Sequence, residues 1–479
     1  MAMTRHWVER WRDRPDAPVL ISGSDGTVLN GVQVDEITSL AASQLARLGV
    51  SAGDRVLLSC PSSIETVLAY VALLRLGAVV VPANTAYTGS ELAHVVTDCG
   101  ARLAIIDHAA RLAEHEIVSV SAQQLISAAS TSPELVDVAL DDPSDGPAMI
   151  AYTSGTTGKP KGALLSRSNL LSGASALVQA WAWTKDDVLV HALPMFHMHG
   201  LGAGLNGTFT AGASLVVVPR FEVQAVIDAI EEHHATMFFG VPTMYARFHE
   251  QERLSELSGL RLTVSGSAPL DPVLFKAIEN ATRQAPIERY GMSETVMLTS
   301  NPLHGERKAG SVGLPLPDVD VRLGVDDGVE VRGPNVFGGY WGRPEATAEA
   351  FTKDGWFKTG DVGSYDDDGY LYLVGRASDL IITGGYNVYP REVEDVIREF
   401  RDVLDIAVVG LPDATWGERV AAFYVTSSDT KIDEGALAIR LESRLAAFKH
   451  PRVWIRVDEL PRNAMGKVRR DLLRNQGMM

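Results

Sequence analysis

Short apolar runs alternate with helix-length patterns along most of this chain, and that alternation commits it to a layered α/β architecture. In the segment 18–107 the runs 54–61, 79–82 and 102–107 read as strands, and 63–77 reads as a helix between two of them. Strands joined through helices run side by side, so the sheet they form is largely parallel. An earlier helix is marked by Ile37, Leu40, Ala41, Leu45 and Leu48, with Asp35 as its cap and Gly49 as its close. A second βα-rich stretch covers 188–323, with apolar strands at 214–218 and 260–264.

After Gly375-Arg376 the pattern changes to a helix at 390–400, strands at 406–410 and 420–425, a helix at 433–448 and a closing strand at 453–457. This is a small α+β unit with an apolar face of its own, which predicts two domains, 1–376 and 377–479. The 479 residues suffice for two cores.

Acidic residues outnumber basic ones 60 to 43, a net charge of -17 that argues against a nucleic-acid surface. Anionic ligands must then be met by local cations. Two cysteines, Cys60 and Cys99, are too few for a disulfide scaffold and predict buried thiols in a reducing cytoplasm. No apolar core follows the charged first residues, and the longest apolar stretch, 67–82, is interrupted by Arg75. Neither a signal segment nor a membrane span is expected.

The segment from Tyr152 to Gly162 packs four Ser/Thr hydroxyls, three glycines and two lysines into eleven residues, directly after the apolar run 148–151. Backbone amides, hydroxyls and ammonium groups so concentrated make a cradle for a polyphosphate, which points to a nucleotide. The GxxxxGK[ST] spacing fails, because Gly158-Lys159 is followed by Pro160. A GxGxxG match at 202–207 follows no clean apolar strand and is a weak pointer to a dinucleotide fold.

Five further motifs follow in order: Arg289-Tyr-Gly-Met-Ser-Glu-Thr295, Gly355-Trp-Phe-Lys-Thr-Gly-Asp361, Gly375-Arg376-Ala-Ser-Asp379, Gly384-Gly-Tyr-Asn-Val-Tyr-Pro390 and Pro461-Arg-Asn-Ala-Met-Gly-Lys467. With the phosphate loop they resemble the adenylate-forming enzymes: acyl-CoA synthetases, peptide-synthetase adenylation domains and luciferases. The resemblance spans residues 152–467. It implies an α/β fold, a large N-terminal domain of β-sheets wrapped by helices, with a small α+β C-terminal lid that rotates over the site.

It also implies roles. Thr153, Ser154, Gly155, Thr156, Thr157 and Lys161 would hold ATP phosphates, Tyr290 and Gly291 with Gly266, Ser267 and Ala268 would form the adenine slot, and Thr295 would touch the α-phosphate. Glu294, with Thr153, would bind Mg²⁺, a hard cation suited to carboxylate and phosphate oxygens. Asp361 and Arg376 would bind the ribose, Gly384 and Gly385 would line the CoA tunnel, and Ser378 stands where relatives carry a hinge Lys or Asp. Lys467 would bridge the attacking carboxylate and the α-phosphate and so stabilise the transition state. No Cys/His or Ser/His/Asp constellation stands out, consistent with attack by the thiol of CoA itself.

Relatives with apolar acyl groups carry a glycine where this chain has Arg289, a cation that would meet a second carboxylate in bidentate geometry or pair with Glu288. His197 and His199 occupy the segment that lines the acyl pocket in relatives, and Met292 and Met297 would either limit its length or serve as core. The patterns His197-Met-His199-Gly200, Ser265-Gly-Ser-Ala-Pro-Leu270 and Glu288-Arg-Tyr-Gly-Met-Ser-Glu-Thr295 resemble malonyl-CoA and methylmalonyl-CoA synthetases in particular, so malonate or methylmalonate, ATP and CoA are the expected partners. A short monocarboxylic acid, a carrier-protein acceptor, or a nucleotide sensor without turnover are the rival expectations. Lys449 and Arg452 are basic candidates for the CoA 3'-phosphate.

Overall fold

The strands expected at 54–61, 79–82 and 102–107 form at Arg55–Ser59, Val79–Pro82 and Leu103–Ile106 and pair in parallel. They belong to a computed structural model that describes all residues except 1–2, 114, 132–138, 143, 154–159, 401, 427–433, 464–465 and 479. Between the first two strands lies the helix Ile64–Leu76. Ser63 starts it by accepting the Thr66 N–H, and Gly77 ends it at φ 81°. Every residue of this helix except Glu65 is buried, so it lies between layers and carries no solvent face. Arg75, the charge that interrupts the apolar stretch, is held there by Asp35 at 2.8 Å and Asp141 at 3.1 Å. Asp35 is therefore an ion-pair partner and not the cap expected of it. The helix Gly31–Arg47 begins one turn earlier, at a capping box of Asn30 and Gln33.

The described residues divide into two compact units, Met1–Val321 with Val331–Phe357, and Arg322–Glu330 with Lys358–Met479. The first unit holds two large sheets. One runs in the order Gly339–Tyr340, Lys161–Ser166, Pro147–Thr153, Val79–Pro82, Arg55–Ser59, Leu103–Ile106, Val118–Val120. The other has a parallel centre of Ile287–Tyr290, Leu262–Ser265, Met237–Gly240, Val188–His191, Ser214–Val217 and Pro18–Ser22. Its edges turn antiparallel, through Val28–Asn30 at one side and Thr299–Ser300 at the other. The GxGxxG run falls in a π-helical stretch, His199–Leu205, that continues into the helix Asn206–Ala211. No strand-to-helix turn exists there to cradle a pyrophosphate, which removes the dinucleotide reading.

In the second unit the helix Pro390–Arg398 buries Val393, Val396 and Ile397 in one cluster with Ile406, Val408 and Val420. The strands expected at 406–410 and 420–425 are longer than their apolar cores and form the hairpin Val403–Asp413 and Gly417–Thr426, which Val453–Arg456 joins in parallel. The helix expected at 433–448 spans Glu434–Arg444, followed by a 3₁₀ turn at Ala447–Lys449. The compact division falls between Phe357 and Lys358, at the start of the strand Phe357–Tyr365, earlier in the chain than the expected boundary after 376. Packing and pivoting are separate properties, and a pivot at 377 remains a proposal.

Among the described residues no helix is long and apolar enough to cross a membrane. Cys60 and Cys99 are both unbridged and buried. Burial pushes the Cys60 thiol up to about 12, helped by Asp107, and the Cys99 thiol to about 11. At pH 8 the thiolate fraction is then on the order of one in a thousand or less. Titration with a disulfide reagent is expected to find no rapidly reacting thiol in the native protein and both after unfolding. Stoichiometric labelling of the native protein at pH 8 would contradict this burial.

Candidate active site

Two parallel strand ends bring the 266–268 and 289–295 segments together, as crevices at carboxyl strand ends do in α/β proteins. Leu262–Ser265 pairs with Ile287–Tyr290, with Ser265 opposite Glu288, so Gly266-Ser267-Ala268 leaves the sheet beside Arg289 and Tyr290. Tyr290 is buried, and Ser267 holds φ +72°, a left-handed conformation that costs a non-glycine residue about 1–3 kcal/mol. Val296, just past Glu294 and Thr295, is held at φ +58°. A β-branched residue there is a stronger outlier still. Backbone strain thus gathers on both segments expected around the nucleotide.

Thr295 is fully buried, its hydroxyl accepting the Met292 N–H at 3.3 Å. Asn335 donates to the carbonyls of Thr295 and Met297 at 2.8 and 2.6 Å and so fixes this loop. Sequence reasoning missed Asn335, because an Asn after Gly-Pro signals a turn and nothing more. Glu294 is only 4% exposed and accepts a hydrogen bond from the Tyr340 hydroxyl at 3.0 Å. At the phosphate loop, Thr153 stands opposite Lys161 in the antiparallel pair, and its hydroxyl donates to the Lys161 carbonyl at 3.4 Å. Ser154, Gly155, Thr156 and Thr157 lie outside the described residues. Tyr152 donates to Asp98 at 2.7 Å, and His94 contacts the Pro160 carbonyl at 3.2 Å, so one helix, Gly89–Cys99, grips both flanks of the loop.

Arg289 is 5% exposed, and its Nε and Nη2 have no hydrogen-bond partner. Glu288 faces the other side of the strand, where it accepts from the backbone of Leu270 and Gly310 at 3.3 and 2.9 Å. Burial pushes the guanidinium down to about 9, which still leaves it a cation at neutral pH. Gly266 makes room for it, since a Cβ there would lie 2.5 Å from the guanidinium carbon. His199, fully enclosed, contacts the Ser267 hydroxyl at 3.2 Å through Nδ1, while Nε2 has no partner. Its pKa is held well below the usual value by burial first, then by Arg289, His197 and His191, so the ring is neutral. His197 is half-buried and lines a shallow pocket with Tyr152, Met198 and Ser293. Met292 is half-buried, whereas Met297 is core.

In the second unit, Asp361 and Arg376 face each other across antiparallel strands and form an ion pair at 3.0 Å. Lys467 is held by Asn463, which exchanges hydrogen bonds with it at 3.0 and 2.9 Å. Desolvation and then Arg376 lower its pKa, against the opposite pull of Asp361 and Asp379, so these charges share one neighbourhood even though the lysine keeps an exposed surface. Gly384 has φ +59°, and a Cβ there would meet the Trp416 indole at 2.7 Å. Gly385 also lies in the left-handed region, at φ +84°. Ser378 is exposed in the turn Ala377–Asp379.

Residues 7–341 match the family of AMP-binding enzymes, and residues 392–467 match the AMP-binding enzyme C-terminal domain. This chain belongs to the AMP-binding enzymes. The mitochondrial malonate–CoA ligase ACSF3 of Mus musculus is 35% identical over 91% of this chain and 84% of its own length. A feruloyl-CoA synthase of Amycolatopsis is 36% identical over 96% of both. Among solved structures, ATP-bound MatB from Rhodopseudomonas palustris superposes with a TM-score of 0.92 at 38% identity, covering 99% of both chains. As a member of this family the chain is an ATP-dependent, adenylate-forming acyl-CoA ligase, with the expected large N-terminal domain of sheets and helices and a C-terminal domain.

Proposed function

We propose that this ligase joins malonate or methylmalonate to CoA through an acyl-adenylate, releasing AMP and pyrophosphate. The observation that carries the reading is Arg289, a buried guanidinium with two nitrogen groups lacking partners beside the expected adenine slot. An uncompensated buried cation is costly, and a second substrate carboxylate relieves that cost. Ferulate and other monocarboxylates bring no anion to it. The likeness to the mouse malonate ligase supports the reading, while the equal likeness to a feruloyl-CoA synthase means that identity alone does not choose the acid.

In this scheme a carboxylate oxygen attacks the α-phosphorus of ATP and the bond to pyrophosphate breaks. Tyr290, Gly291 and the 266–268 segment hold adenine, Asp361 and Arg376 hold the ribose, and Thr153, Lys161, Thr295 and the loop 154–157 hold phosphates. Lys467 bridges both reacting groups and stabilises charge that develops in the transition state. Mg²⁺ fits the donor chemistry, since the Glu294 carboxylate and the Thr153 hydroxyl offer hard oxygens. Substrate phosphates would complete its shell, and the bound ion would draw charge from them. The lid 377–479 then pivots near Ser378, bringing Gly384 and Gly385 to the pantetheine arm. The CoA sulfur attacks the acyl carbon, the bond to AMP breaks, and the thiol proton leaves to solvent. The buried free thiols support a reducing, cytoplasmic setting.

The test is AMP and pyrophosphate release across acetate, propionate, malonate, methylmalonate, succinate and ferulate, each with and without CoA. Malonate or methylmalonate should give the highest kcat/KM, with CoA required for turnover. A higher value for ferulate or propionate would overturn the diacid assignment.

A further inference from the structure

A tyrosine outside all six motifs ties two of them together. Strand Gly339–Tyr340 pairs antiparallel with Lys161–Ser166, placing Tyr340 opposite Ala163, and the Trp341 N–H donates to the Gly162 carbonyl at 2.8 Å. The same short segment reaches the other motif as well. The Phe337 N–H donates to the Glu294 carbonyl at 2.8 Å, and the Tyr340 hydroxyl donates to Glu294 Oε1 at 3.0 Å. The Lys161 ammonium stands over the Tyr340 ring, 5.5 Å from its centre. The ring itself is held in place: Phe337 packs edge-on at 4.9 Å, and the Tyr340 N–H donates to the Thr347 hydroxyl at 2.9 Å.

One aromatic ring therefore has a carboxylate at its hydroxyl end and an ammonium over its face. A carboxylate as enclosed as Glu294 needs hydrogen-bond donors, and the choice of donor has a consequence. A guanidinium would bring an opposite charge to it, whereas a phenol fixes its orientation and brings none. The ring face meanwhile restrains Lys161 by cation–π attraction, so the separation of the two charges is set by a rigid spacer.

We propose that Tyr340 is a positioning residue that holds Glu294 and Lys161 at the spacing required by a metal–triphosphate, and that it thereby couples ATP binding to Mg²⁺. The proposal rests on assigning those two residues to the nucleotide and is independent of which acid is activated. It is tested by calorimetric binding of ATP and of AMP to the full-length protein across a Mg²⁺ titration, with no acid present. Tyr340→Phe keeps the ring and removes the hydroxyl. The Mg²⁺ concentration giving half-maximal tightening of ATP binding should rise about tenfold, as expected for loss of one hydrogen bond to a charged group, with AMP affinity unchanged. Tyr340→Leu removes the ring as well and should also weaken ATP binding without Mg²⁺, because Lys161 loses its platform. An unshifted Mg²⁺ midpoint in Tyr340→Phe overturns the proposal. So does equal weakening of AMP and ATP, which marks a structural role. Should Tyr340→Phe lose its thermal transition, Glu294→Gln, which keeps the hydrogen bond and removes the charge, tests the premise that Glu294 meets Mg²⁺: retention of the wild-type midpoint there also overturns the proposal. Failure of malonate in the acid panel leaves these outcomes unaffected.

Discussion

Alanine at position 467 is expected to abolish acyl-adenylate formation and to leave conversion of supplied acyl-adenylate to thioester close to wild type. The loss should be on the order of 10²–10³-fold or more, the usual effect of removing one group aimed at transition-state charge. Pyrophosphate exchange would measure the first half-reaction and thioester formation from synthetic malonyl-adenylate the second. Equal loss in both would sink the assignment. Lys467 shares its surroundings with Asp361 and Arg376, the pair proposed to hold the ribose, so the compact C-terminal unit already holds the cation beside that ion pair. Its folded pKa lies below the unfolded value, because desolvation and Arg376 disfavour the ammonium. The charged lysine consequently opposes folding below its folded pKa, and this penalty disappears as pH rises to the unfolded value. Lys467→Ala should therefore not lower the thermal midpoint at pH 7, which separates a catalytic loss from a folding defect. The alkaline limb of adenylation should also fall below the 10.5 of an ordinary lysine, with no such limb in the second half-reaction.

Arg289→Met should reduce kcat/KM for malonate on the order of 10²–10⁴-fold, the about 3–5 kcal/mol cost of leaving the partner of a buried pair alone. Propionate, which has no distal carboxylate, should suffer far less. Stability should move the opposite way to malonate use. With Nε and Nη2 buried and unpartnered, the guanidinium is a burden in the free protein, so an apolar side chain of similar length should raise the thermal midpoint. A structural arginine predicts the reverse, a lower midpoint and a uniform loss across all acids. Arg289→Lys should recover little, because a point ammonium cannot reproduce the fork that engages both carboxylate oxygens.

Much of the architecture was legible in the sequence because its signals are local. Apolar runs at 79–82 and 102–107 sit between turn residues, and Ser63 and Gly77 bracket a helix by their own backbone preferences. Where a signal depended on a distant partner, the reading failed. Asp35 looks like a helix cap until Arg75, forty residues on, claims its carboxylate. The hairpin strands of the second unit outrun their apolar centres, because hydrogen bonding carries a pair of strands past the residues that made them detectable. The same division holds in the site. Glu294, Arg289 and Lys467 stand out through motifs, but that Nε and Nη2 of Arg289 lack partners, that Asn335 clasps the 295–297 loop, and that Tyr340 joins Glu294 to Lys161 are facts of tertiary approach. His199 and His197 look alike in sequence, two residues apart, yet only His199 is sealed against Ser267.

The near collision between position 266 and the arginine has a bearing on redesign. A Cβ at 266 would displace the guanidinium of 289 from its present place, so the two sites form one interdependent pair. Substituting the arginine alone would leave a void where guanidinium and missing methyl once balanced. Retargeting such a scaffold toward bulky aromatic acids is thus a two-residue problem, and libraries that vary position 289 while freezing 266 will sample mostly loosely packed variants.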